Sequence, residues 1–281
     1  MKKNLSTFLL ILVFLVGLSV MLYPTVSDAV NRAHQTRAVV DYEHSVQGME
    51  EKDYTAWFQK AEEYNAVLAS DPEALYRPDT LPDYASTLDV TGTGIMGYLS
   101  IPRLNVSLPI YHGTGESVLQ IAVGHLEGSS FPIGGQSTHA VLSAHRGLPS
   151  ARLFTDLDKL EPGDTFEVTV LNRVLTYEVD NISIVLPQEA EGLLVQPGKD
   201  YLTLMTCTPY GINSHRLLVR GRRIENGERL HKVNVVSEAV KVDPLLIAPI
   251  LAAPLLLVLL IWLIWPGKQK KKGGMPNEEY P

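Results

Sequence analysis

One cysteine occurs among the 281 residues, Cys207. That excludes an intramolecular disulfide and the multi-cysteine sets of structural zinc sites. No G-x-x-x-x-G-K-[ST] loop is present, so nothing in the chain points to nucleotide-driven work. Basic residues are the minority, 24 Lys and Arg against 31 Asp and Glu, for a net charge of −7. Such a chain lacks the electrostatic footprint of a nucleic-acid binder. No internal repeat is evident. The length suffices for one domain with a core plus accessory segments.

Two long apolar runs stand out. Residues 8–23 follow Lys2 and Lys3, as in a signal peptide or an uncleaved anchor, and Ser27-Asp28-Ala29 offers a small-residue cleavage site. Residues 245–265 are uncharged and long enough to cross a bilayer core of about 30 Å. Pro249 and Pro254 are tolerable in a membrane helix, Trp262 and Trp265 sit at its far end, and Lys268, Lys270, Lys271 and Lys272 come next. The positive-inside rule puts both lysine-bearing ends in the cytoplasm if the first run is uncleaved, with everything between the two runs outside the cell.

The chain divides accordingly. Residues 1–29 form the signal or anchor segment. Residues 30–70, without proline, predict two helices with a break near Gly48. Their apolar faces are Val39, Val40, Tyr42 and Val46, then Trp57, Phe58, Ala61, Tyr64 and Leu68. Residues 71–93, with Pro72, Pro78 and Pro82, predict an extended, mobile stretch. Residues 94–226 are β-rich: strands are expected at 95–101, 108–111, 140–144, 165–171, 175–186, 201–206 and 216–219, and short helices at 117–123 and 150–157. So many short strands predict a mainly β domain, a closed barrel or sandwich. A linker at 227–244, the membrane segment at 245–265 and a basic tail at 266–281 complete the chain.

A lone cysteine outside the cell is either inert packing or a working thiol. Thr206, Thr208 and Pro209 around Cys207 speak against a purely apolar niche. A cysteine nucleophile needs a proton partner, usually histidine, and a donor for the oxyanion. Five histidines lie in the β domain: His112, His125, His139, His145 and His215. His145 is favoured because it ends a strand and opens a loop, although the same pattern fits an ordinary half-exposed histidine. Arg216 begins the strand after Cys207. Buried, it would need a charged partner; otherwise it belongs with Arg220, Arg222 and Arg223 to a solvated cationic strand.

The segments Thr203-Leu-Met-Thr-Cys207, Cys207-Thr-Pro-Tyr-Gly-Ile-Asn-Ser-His-Arg216, Ser143-Ala-His-Arg-Gly147, Gly94-Ile-Met-Gly-Tyr-Leu-Ser-Ile-Pro102, Leu108-Pro-Ile-Tyr-His-Gly113 and Gly124-His-Leu-Glu-Gly-Ser-Ser130 together resemble the sortase family, specifically its class C, pilus-type members. The resemblance implies an eight-stranded sortase β-barrel. It implies Cys207 as nucleophile, His145 as proton partner and Arg216 as the group that stabilises the oxyanion or positions substrate. Thr206, beside the nucleophile, falls to substrate binding. The implied reaction is transpeptidation without metal or other cofactor: cleavage of an LPxTG-like sorting signal between Thr and Gly, a thioacyl-enzyme, and transfer to a lysine of a pilin subunit. The implied setting is the cell membrane of a Gram-positive surface.

Class C members also carry a lid with an Asp-Pro-aromatic motif. Here Asp71-Pro72 is followed by Glu73, so Asp83 and Tyr84 are the expected lid anchor, the ring covering the thiol and the acid meeting Arg216. Competing readings are a cell-wall-anchoring sortase, a cysteine hydrolase of such peptides, and a non-catalytic tethered adhesion domain.

Overall fold

The computed structural model describes residues 2–81 and 83–226, with side chains from residue 9 onward. The described residues fall into two units, 2–23 in one and 24–226 in the other. In the first unit, residues up to Tyr23 are the apolar start of helix α1 (Lys2–Gln47). By length and composition α1 can cross a membrane, and none of its most apolar window is buried. The expected segment at 245–265 lies outside the described residues.

In the second unit α1 runs on to Gln47, and α2 (Glu51–Ser70) comes after the break expected near Gly48. A capping box between Glu50 and Asp53 starts α2 by satisfying N–H groups left without partners in its first turn. Gln35, Val39, Tyr42 and Val46 are buried along α1, and Phe58, Ala61, Asn65 and Leu68 along α2. Both sets keep the three-and-four spacing of one helix face. Val40, expected on that face, is exposed. Tyr42 bolts α1 to the sheet: its hydroxyl donates to the Met96 carbonyl at 3.0 Å and accepts from the Leu171 N–H at 2.8 Å.

Eight strands close a barrel: β1 (Ile95–Ile101), β2 (Val106–His112), β3 (Val123–His125), β4 (Thr138–Ser143), β5 (Thr165–Val170), β6 (Arg173–Val185), β7 (Asp200–Thr208) and β8 (His215–Ile224). Their order is β1-β2-β3-β4-β7-β8-β6-β5. The β2–β3 and β4–β7 pairs are parallel and the others antiparallel. A short helix, α3 (Glu116–Leu119), makes the β2–β3 crossover. Leu99, Ile101, Ile110, Leu142, Val168, Leu202, Leu204 and Val219 are buried together in the main core. At Gly221 even one more carbon would come within 2.6 Å of the Phe166 ring.

Two expectations are corrected. Residues 71–93 are not extended: they fold into 3-10 turns at Pro72–Tyr76, Pro78–Thr80 and Tyr84–Ser86. Pro72 and Pro78 open the first two, where a fixed φ helps and no N–H is missed. Leu81, Tyr84 and Leu88 tie the stretch into the core. Residues 150–157 form no α-helix; Leu153 has a positive φ of 39°, and only Leu157–Lys159 makes a 3-10 turn.

Candidate active site

Alternation along β7 sends Leu202, Leu204 and Thr206 to one face and Tyr201, Thr203, Met205 and Cys207 to the other. Leu202 and Leu204 join the main core, whereas Met205 packs on a separate outer cluster formed by Val141, Leu193 and Leu218. Cys207 is therefore on the outer wall of the barrel, half-buried and a free thiol.

β8 returns antiparallel with Arg216 directly opposite Cys207. Directly opposed residues share a face, with Cβ atoms about 5 Å apart. Arg216 Nη1 donates to the carbonyls of His215 at 3.2 Å and Asn213 at 3.4 Å. Among the described residues no carboxylate pairs with it, so its outward N–H groups have charge to offer a ligand.

On the other side, β4 lies parallel to β7, with Ser143 level with Met205. The Ala144 N–H donates to the Met205 carbonyl at 3.2 Å, and the Thr206 hydroxyl donates to the Ala144 carbonyl at 2.8 Å. These bonds join the residue before His145 to the two before Cys207. His145 itself is held through its carbonyl, which accepts from the Phe154 N–H at 3.1 Å. Two residues on, Gly147 has a φ of +79°, and a Cβ there would meet the Tyr210 ring at 2.7 Å. The loop after β4 and the loop after β7 thus meet at a contact only glycine permits.

The other histidines of the domain are occupied structurally. His125 is fully buried, its Nδ1 at 3.0 Å from the Tyr84 hydroxyl and its Nε2 at 2.9 Å from the Ser130 carbonyl. Burial pushes its pKa down to about 3. His139 reaches the Leu194 carbonyl through Nδ1 and the Thr203 hydroxyl through Nε2, and burial lowers its pKa to about 4. His112 has both ring nitrogens on carbonyls, those of Gly94 and Thr87. His215 contacts its neighbour Ser214. Among the described residues His145 keeps Nδ1 without a hydrogen bond, while Nε2 lies 3.4 Å from Glu116 Oε2.

The family model for the sortase domain matches residues 99–224. The solved structure of sortase C1 from Streptococcus agalactiae is 52% identical to this chain, covering 68% of it and 100% of the solved chain, with a TM-score of 0.63. This chain belongs to the sortase family. The solved sortase C of Streptococcus pneumoniae is 45% identical over 67% of the chain and 96% of its own, with a TM-score of 0.61. Likeness to these structures makes the chain a class C sortase. The curated Sortase A of Streptococcus agalactiae is 33% identical over 137 residues, 48% of this chain and 55% of that protein. The match thus spans little more than half the length of that relative.

Within this sortase three expected residues are placed differently. Thr206, expected at the substrate, is turned inward: it is 1% exposed, and its hydroxyl donates to the Ala144 carbonyl. Tyr84 does not cover the thiol. Its ring is buried beside His125, Phe131 and Tyr64, and its hydroxyl accepts from the Gly113 N–H at 2.8 Å. Asp83 makes no ion pair or hydrogen bond with Arg216 among the described residues; its carbonyl accepts from the Thr87 hydroxyl. In the same stretch, the turn at Pro72–Tyr76 sets Leu75 on the outer cluster, on which Met205 also packs. An Asp71–Arg77 ion pair brackets that turn. Glu116 and Leu75 were missed in the sequence, where nothing local ties either to positions dozens of residues away.

Proposed function

We propose that this sortase is a membrane-anchored pilus-type transpeptidase. It cleaves an LPxTG-like sorting signal between Thr and Gly and transfers the acyl group to a lysine of a pilin subunit. The observation that supports this most is the row of three adjacent strand ends: His145 after β4, Cys207 in β7, and Arg216 opposite it in β8. The apolar α1 start supports the anchor, and the pneumococcal neighbour is described in terms of pilin substrate specificity.

In the proposed reaction the Cys207 thiolate attacks the Thr carbonyl carbon. A C–S bond forms and the carbonyl electrons move to oxygen, where Arg216 donates hydrogen bonds to the oxyanion. Collapse breaks the C–N bond to Gly, and the His145 imidazolium gives its proton to the departing amine. The thioester remains on Cys207. A lysine amine then attacks it, His145 takes the proton, and an amide forms as the thiolate leaves. Thr206 serves here as a positioning residue. The outer apolar cluster beside Met205 suits the uncharged side chains of the signal.

The test uses the full-length chain in detergent micelles with an LPxTG-type peptide, with and without a lysine-bearing acceptor peptide, read by intact mass spectrometry. A thioacyl adduct on Cys207, lost in Cys207→Ala, with ligated product only when the acceptor is present, is expected. Hydrolysis that ignores the acceptor would replace the transferase reading with a hydrolase. Absence of any adduct would remove the transpeptidase reading.

A further inference from the structure

Glu116 opens α3, the crossover between β2 and β3. β3 runs antiparallel to β4, with Gly124 opposite Ser143. Antiparallel pairing sets the segment entering β3 beside the segment leaving β4. That puts the start of α3 next to His145, and the two side chains meet: Glu116 Oε2 lies 3.4 Å from His145 Nε2. The separation is at the long end for a charge-assisted bond, as resting catalytic pairs often are. The carboxylate does not point there by chance. Its other oxygen, Oε1, accepts from Gln120 Nε2 at 2.9 Å, one helical turn on. These two bonds, Gln120 first and His145 second, hold the Glu116 carboxyl below the usual carboxylate range.

An ionised carboxylate only accepts hydrogen bonds. The ring nitrogen facing it must therefore carry the hydrogen. A neutral imidazole has one N–H, so the other nitrogen is then the acceptor. We infer that Glu116 is a positioning residue that holds neutral His145 as the Nε2–H tautomer, which makes Nδ1 the nitrogen that exchanges the proton with Cys207 and with the departing amine. The role in proton exchange rests on the transpeptidase reading above; the tautomer does not. Gln120 acts one step further out, keeping the Glu116 carboxylate aimed.

The pair is exposed, with Glu116 69% accessible and His145 26%. Exposed ion pairs contribute little, so the expected loss is a factor of a few rather than orders of magnitude. In Glu116→Ala, kcat for transfer should fall about three- to fivefold with KM unchanged, because no group contacting the peptide is altered. Glu116→Gln, whose amide oxygen still accepts from Nε2–H, should keep most of the rate. A fold effect alone would lower both variants through the amount of folded protein without a kcat-specific pattern.

The direct measurement is the imidazole nitrogen NMR correlation spectrum of full-length, ¹⁵N-histidine-labelled protein in micelles, at a pH where the ring is neutral. His145 is assigned by the signal lost in His145→Gln. The Nε2–H pattern is expected in the native chain, moving toward a tautomer mixture in Glu116→Ala. A Nδ1–H pattern in the native chain, or an unchanged spectrum and unchanged kcat in Glu116→Ala, overturns the inference. Failure of the native chain to form the thioacyl adduct would instead overturn the transpeptidase reading and its proton exchange, with the tautomer decided separately by the spectrum.

Discussion

Replacing Thr206 with valine tests whether the bond between the β4 and β7 ends carries function. Valine keeps the shape of the side chain and removes only the hydroxyl. The lost bond is the 2.8 Å contact to the Ala144 carbonyl, at a residue 1% exposed. A buried acceptor deprived of its donor costs about 1–3 kcal/mol. For a folded unit of about 200 residues that lowers Tm by roughly 2–12 °C. The effect on rate is argued separately. Ala144 precedes His145 and Thr206 precedes Cys207, so slack in this bond changes the spacing of the proposed proton partner and nucleophile. Misplacements near 1 Å cost up to about 100-fold, so kcat per folded molecule should fall on the order of tenfold, with KM little changed. Thr206→Ser retains the hydroxyl, gives up a methyl group, and should recover most of the rate. The assay combines thermal melts with steady-state transfer from an LPxTG-type peptide to a lysine-bearing acceptor. A raised KM with unchanged kcat would mean that Thr206 does meet substrate, and the reasoning from its burial would be wrong. A lower Tm with unchanged kinetics would confine the bond to stability.

Removing the Leu75 side chain as Leu75→Ala should loosen the turn at Pro72–Tyr76 from the outer cluster and speed alkylation of Cys207 by iodoacetamide; an unchanged alkylation rate would show that this turn does not limit access. Tyr84→Phe removes the acceptor of the Gly113 N–H and the partner of His125 Nδ1, and should cost about 1–3 kcal/mol in urea unfolding while leaving KM unaltered. His125 and His139 have folded pKa values of about 3 and about 4, below their ordinary 6.5. Below pH 6.5 the unfolded chain therefore binds more protons than the folded one. The stability they contribute is complete above pH 6.5 and is lost as pH falls from there, toward about 4 for His139 and about 3 for His125, each group adding a slope approaching about 1.4 kcal/mol per pH unit. Unfolding free energies measured between pH 7 and pH 5 should show a shallower slope in His139→Gln, and an unaltered slope would contradict the buried, neutral assignment.

Most strands are legible because β-branched and aromatic residues recur between Pro-Gly turns, as at Pro162-Gly163 and Pro197-Gly198. β3 is not, since three residues, Val123 to His125, are too few to show a period. The helix expected at 150–157 fails because Leu153 takes a left-handed conformation that interrupts any helix. The 71–93 stretch is misread when proline counts only as a breaker, whereas at the first position of a 3-10 turn it is an opener. The burial of Thr206 is in principle readable. It shares the parity of Leu202 and Leu204, the inward residues of β7, while Cys207 has the opposite parity. The Glu116–His145 pair is not readable, because 29 positions and a strand pairing separate the two.

The filled barrel interior has a consequence for how such an enzyme diverges. Everything proposed to touch substrate lies on the outer wall, bordered by the turn at Pro72–Tyr76, the connection from β6 to β7 and the loop between β7 and β8. None of these connections belongs to a strand of the barrel. Lineages can therefore exchange or lengthen them while the β7–β8 register that sets Cys207 opposite Arg216, and the β4–β7 register that ends at Ser143, stay untouched.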